Sequence, residues 1–129
     1  MFRLALSTAV IGALISAIPA TAHHSFAMFD REKQVTLKGT VKEFQWTNPH
    51  VFIQVMVPGA GGKEEEWSVE GGSPNMLFRS GWEPTVFKPG DKVTLVINPL
   101  KSGERGGNFV FTQLPSGKTL GNMNARAPG

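Results

Sequence analysis

From residue 35 to residue 42 apolar and polar side chains alternate without a break, and then the apolar phase slips by one. Val35, Leu37, Gly39 and Val41 stand against Thr36, Lys38, Thr40 and Lys42, the period of a half-buried strand. Beyond the slip the large apolar positions are Phe44 and Trp46. One extra residue in an alternating strand predicts a β-bulge near Glu43, which bends the strand, and Gly39 eases the same bend. A long strand that bends can take part in two sheets and turn the corner between them. That is the demand of a small barrel.

The segments that follow fit the same architecture. Residues 51–57 are nearly all β-branched or aromatic. They are apolar on both sides, so one face is buried and the other is covered or meets a ligand. Residues 64–70 give a third strand with Trp67 and Val69 inward. The run Glu64, Glu65, Glu66 points to alternating sides and reads as a solvated edge. Ser73 and Pro74 are an N-cap and a first helical residue. Met76, Leu77 and Phe78 supply a short apolar stripe, and Gly81 closes the helix in the left-handed region. Residues 93–97 and 108–114 are the fourth and fifth strands, and a turn at residues 115–118 leads to a short last segment ending at Leu120. The order predicts an all-β fold with a small α component. It is a five-stranded OB-like Greek-key barrel with one short helix between strands 3 and 4. A small β-sandwich, the competing architecture, calls for about seven strands.

Residues 1–22 read as a secretory signal peptide. Arg3 supplies the positive start, residues 4–18 are apolar apart from small Ser, Thr and Gly, and Pro19 breaks the run. Ala20-Thr21-Ala22 is then the small-x-small pattern of a cleavage site. A spanning helix needs roughly 20 apolar residues, more than this run offers, so no stable membrane anchor is expected after cleavage. The expectation is a periplasmic or secreted protein whose mature chain begins at His23. Residues 23–34 would form an N-terminal arm, residues 35–121 the barrel domain and residues 122–129 a disordered tail. The chain has no cysteine, so the barrel must hold by core burial alone. Its 13 cationic and 10 anionic side chains give a formal charge of +3, and losing Arg3 leaves +2. That is too small and dispersed to recruit nucleic acid.

Several stretches together resemble a known family. They are residues 23–30 (His-His-Ser-Phe-Ala-Met-Phe-Asp), Gly39-Thr40-Val41, Trp46-Thr47-Asn48-Pro49-His50-Val51, Trp67-Ser68-Val69-Glu70, Ser73-Pro74 with Gly81-Trp82, and residues 90–94. They look like the DUF6152 type of small exported bacterial proteins, whose function is unknown. The resemblance covers nearly the whole mature chain. It implies export and a β-barrel domain, and it supplies no activity, substrate or catalytic residue.

All three histidines fall in two of these elements: His23 and His24 at the expected new amino terminus, and His50 after Asn48-Pro49. Cleavage would bare an amine that, with the His23 ring Nδ1, closes a chelate on one metal ion. An amine near pKa 8 and an imidazole near 6.5 both supply neutral nitrogen close to neutral pH. Nitrogen ligands in a flat arrangement suit Cu(II) best, so copper is the expected metal. His50 can add a third nitrogen, and a second arrangement uses the His24 amide and ring. Met28, Met56 and Met76 are thioethers suited to Cu(I). The arm must run back along the first strand to reach His50. Twelve residues span at most about 40 Å, close to the rise of a straight strand of that length. The competing reading makes His23 and His24 polar residues beside a cleavage site and His50 a turn cap through a backbone hydrogen bond.

The alternative function is a metal-free binding module. OB-type barrels bind extended ligands on the face of the second and third strands, where Phe44, Trp46 and Phe52, with Trp67, offer stacking surfaces for a sugar, a peptide or a protein partner. Core packing competes at each, most strongly at Trp67. No catalytic motif is found: the chain lacks Ser-x-x-Lys, Gly-x-Ser-x-Gly and a cysteine nucleophile. Sequence does not bring Glu43 and Glu70 face to face. Asp30, Glu70 and Asp91 are expected to be solvated or turn residues. Exposed sheet edges leave open a pairing of two chains.

Overall fold

The computed structural model describes residues 26–121. The expected signal peptide, His23, His24 and the tail from residue 122 lie outside them. Six strands and one helix follow in the order β1 (Val35–Gln45), β2 (Phe52–Pro58), β3 (Glu64–Glu70), α1 (Pro74–Arg79), β4 (Lys92–Pro99), β5 (Gly106–Gln113) and β6 (Thr119–Gly121).

β1 organises the barrel as its alternation requires. Residues 35–40 pair with β4, and residues 40–45 pair with β2. The register with β2 shifts between Val41 and Glu43, which leaves Lys42 as the extra residue, within one position of the expected bulge. Just before it the backbones of β1 and β2 press together, and a Cβ on Gly39 would strike the Met56 carbonyl oxygen. Only glycine fits there. β2 pairs with β3, and β4 with β5. Ser68–Glu70 of β3 then runs parallel to Gly106–Asn108 of β5. That three-residue ladder closes the circuit β1-β2-β3-β5-β4, the five-stranded barrel, and β6 adds to the outer edge of β5.

Leu37, Val41, Ile53, Val55, Val69, Leu95, Ile97 and Leu120 fill the interior, together with Trp82 and Phe87. The expected helical stripe is corrected. α1 begins as predicted, with the Ser73 hydroxyl accepting from the Met76 N–H at 3.3 Å and Pro74 in the first turn. It buries no residue, however: Met76 and Phe78 are 66% and 65% exposed, and only Leu77 is packed against the core. Three consecutive helical residues step by about 100° each, so they fan across the cylinder and cannot all face one core. Trp82 takes over the role at 2% exposure. It meets Phe87 and Phe109 edge to face at 5.8 and 4.8 Å between centroids.

The arm is pinned to the barrel. Phe29 is buried and forms an antiparallel bridge with Leu100. The Asp30 N–H donates to the Pro99 carbonyl at 2.8 Å, and the Lys101 N–H donates to the Met28 carbonyl at 2.9 Å. This short ladder holds the arm against the C-terminal end of β4, the end at which β3 and β5 meet.

Candidate functional site

At that end of the barrel lies a cavity of about 340 Å³, lined among others by Phe29, His50, Glu70, Met76, Leu77 and Phe109. The arm, the turn before β2, the last residue of β3, the helix and β5 all reach it. The turn at residues 47–50 delivers His50: the Thr47 hydroxyl donates to the His50 carbonyl at 3.1 Å. Two backbone bonds then tie the start of β2 to the chain leaving β3, from Val51 N–H to Gly72 O at 3.0 Å and from Gly71 N–H to Val51 O at 2.7 Å.

Glu70 closes β3 and stands opposite Phe52 in the β2 register, on the outer face of the sheet. Its Oε1 lies 2.5 Å from His50 Nδ1, and the two side chains are 13% and 33% exposed. A carboxylate at that distance takes a hydrogen bond from Nδ1, so in the neutral ring the lone pair sits on Nε2. The expectation that Glu70 is solvated is therefore corrected. It lines the cavity and is largely buried, and the His50 ring N–H supplies it with a hydrogen bond. Asp91 is a turn residue as expected, accepting from the Lys88 N–H at 2.9 Å.

The structure separates the three aromatic candidates. Phe44 pairs with Ile53 across the sheet and so faces inward, where it meets Phe87 at 5.3 Å and Trp46 at 5.9 Å between centroids. Trp46 is packed against the core with it. Phe52 belongs to the opposite, outer face with Gln54 and Met56. Trp67 is paired with Val55, packs against the interior, and its Nε1 has no hydrogen-bond partner among the described residues. The face of β2 and β3 thus carries one aromatic ring, Phe52, rather than a row. Glu43 pairs with Gln54 of β2, and β2 separates it from Glu70 on β3. The acidic start of β3 forms surface pairs, Glu66 with Lys42 at 3.1 Å and Glu65 with Arg105 at 3.4 Å.

Sequence reasoning chose His50 and overlooked Glu70 and Phe29. A usable signal existed for Glu70. The antiparallel pairing of residues 52–58 with residues 64–70 about the loop at Gly61 places Glu70 beside Phe52, two positions from His50. Among the described residues no three His, Asp or Glu side chains gather in one group. Of the predicted ligands these residues contain His50 alone.

The model of a family of unknown function, DUF6152, matches residues 12–109. No curated protein and no solved structure matches the chain.

Proposed function

The chain belongs to the DUF6152 family, and since that family carries no known function we propose one from the site itself: an exported small protein that binds a transition-metal ion, Cu(II) by preference. In this reading residues 1–22 direct export to the periplasm and are removed, and His23 becomes the first residue. Its amine and ring, or the ring of His24 in the second arrangement, join His50 around the ion.

One observation carries the reading. His50 is held through Nδ1 by a largely buried carboxylate, the outer-shell contact by which metal-binding histidines are oriented. The position of the arm supports it. Phe29 borders the same cavity as His50, and the six residues from His23 to Phe29 can span at most about 20 Å. The amino terminus is therefore within reach of the cavity mouth without running the length of β1.

The test uses protein purified from the periplasm, with its first residue established by mass. Cu(II) titration followed by spin resonance should show a nitrogen-ligated site. A form with one residue added before His23 should lose it. Equal binding by both forms overturns the amino-terminal chelate. Glu70→Gln, which keeps shape but weakens the hold on Nδ1, should lower Cu(II) affinity about 10- to 100-fold.

A second reading rests on the cavity itself. At about 340 Å³, with Phe29, Leu77 and Phe109 beside one polar pair, it has the size and lining of a small-ligand pocket. A metal-free module would hold the end of a sugar or peptide there. Failure of both forms to bind Cu(II), with saturable quenching of tryptophan fluorescence by one member of an oligosaccharide or peptide series, favours this reading.

A further inference from the structure

The cavity that holds His50 and Glu70 does not stand alone. A second hollow of about 610 Å³ adjoins it, and Leu77, Asn108 and Phe109 line both. Strand register explains the shared wall. Across the parallel ladder of β3 and β5, Glu70 stands level with Asn108, and across the antiparallel pair of β4 and β5, Asn108 stands level with Asn98. Residues in register show their side chains on one face of a sheet. The three therefore form a polar row, with Glu70 in the first hollow, Asn98 in the second and Asn108 in both. Glu70 is engaged by His50 through Oε1, and Asn98 Nδ2 donates to the Lys33 carbonyl at 2.7 Å. The half-buried Asn108 side chain makes no hydrogen bond among the described residues, which leaves its two N–H donors and its carbonyl unsatisfied.

We infer that the two hollows are halves of one groove and that it binds a neutral oligosaccharide, with Asn108 reading hydroxyl groups at its middle. The inference rests on the reading of the cavity as a metal-free ligand pocket, and extends it from the end of a ligand to a chain of rings. A sugar hydroxyl is donor and acceptor at once, and a carboxylate beside two amides offers both kinds of partner in a row. The C–H face of a sugar ring suits the apolar surface of Leu77 and Phe109, the combination of apolar wall and few polar groups that ligand sites use. A peptide is the poorer occupant. Extended peptides gain affinity by adding a strand to an open sheet edge. Gly107 and Asn108 are already paired with β3 on one side and β4 on the other, so recognition here must run through side chains.

The experiment titrates the processed protein with cello- and chito-oligosaccharides of one to six rings by calorimetry. Affinity should rise at least tenfold between one ring and three. Asn108→Ala should lower the affinity for the trisaccharide by about tenfold, the contribution of one hydrogen bond of ordinary strength. The substitution breaks no side-chain bond within the described residues, so it should melt near wild type. Gln113→Ala, on the same strand but outside both hollows, should bind as wild type does. In labelled wild-type protein the Asn108 side-chain amide resonances should shift on adding trisaccharide, a readout that needs no variant. Trisaccharide binding that survives Asn108→Ala, or that leaves the Asn108 amide unmoved, overturns the inference. A single ring held as tightly as three overturns the groove and leaves the single-cavity reading standing, as does saturable binding of a peptide series with no sugar bound. No binding of any sugar or peptide removes both.

Discussion

The link from β3 to β4 contains two apolar stretches with opposite fates. In α1, Met76 and Phe78 stay in solvent. A few residues on, without regular structure, Trp82 and Phe87 are 2% and 3% exposed and seal the barrel against Phe44 and Phe109. The helix serves the plug by steering. Its end is closed by Gly81 N–H to Phe78 O at 3.1 Å and Trp82 N–H to Leu77 O at 2.9 Å, with Gly81 at φ +92°. From the far side Lys118 Nζ donates to the Gly81 carbonyl at 2.7 Å. The reversal aims the indole inward. Regular structure and core burial are thus assigned to different parts of one connection, which leaves the helix surface beside the cavity open to function.

The largest test of that division removes the plug. Trp82→Ala takes a ring out of contact with Phe44, Phe87 and Phe109, and large-to-small changes of this kind cost about 3–5 kcal/mol. A small domain holds about 5–15 kcal/mol in all, so the variant should unfold at much lower urea than wild type. A loss under about 1 kcal/mol, read from the urea midpoint at unchanged slope, would place the burden elsewhere in the core.

Local signals led to most of the fold, because they are read within a few residues. The alternation of residues 35–42 and its slip gave β1 and its bend, and Ser73-Pro74 with Gly81 gave both ends of α1. What escaped depends on partners distant in the chain. Glu70 looks solvated until the β2–β3 register sets it beside Phe52 and the turn brings His50 over it. The apolar Phe26–Phe29 cluster reads as pinned on the barrel, but the place where it docks is set only when Asp30 and Met28 bond to residues 99–101. Phe44 and Phe52 look equally suited to stacking until the bulge and the register put them on opposite faces. The stripe at residues 76–78 failed for a simpler reason: adjacency in sequence is not adjacency on a helix.

An intermediate effect is expected where the helix starts. The Ser73 hydroxyl accepts from Met76 N–H, and deleting such a cap costs about 1 kcal/mol. Ser73→Ala should lower stability by that amount, and it should loosen the segment that carries Met76. Amide hydrogen exchange resolves the two consequences. Faster exchange confined to residues 76–82 sharpens the comparison by showing that the helix opens separately from the barrel. Uniform acceleration across β1 and β4 as well would mean that the steering helix and the plug unfold as one unit.

The smallest effect is the most demanding of the comparison, because it predicts almost nothing. Phe78 is large and apolar, yet 65% exposed, so its ring forfeits little on removal. Substitutions at such positions stay within about 0.5 kcal/mol, and Phe78→Ser should melt with wild type. If stability instead falls by 2 kcal/mol or more, Phe78 packs in solution, and the contrast between helix and plug collapses.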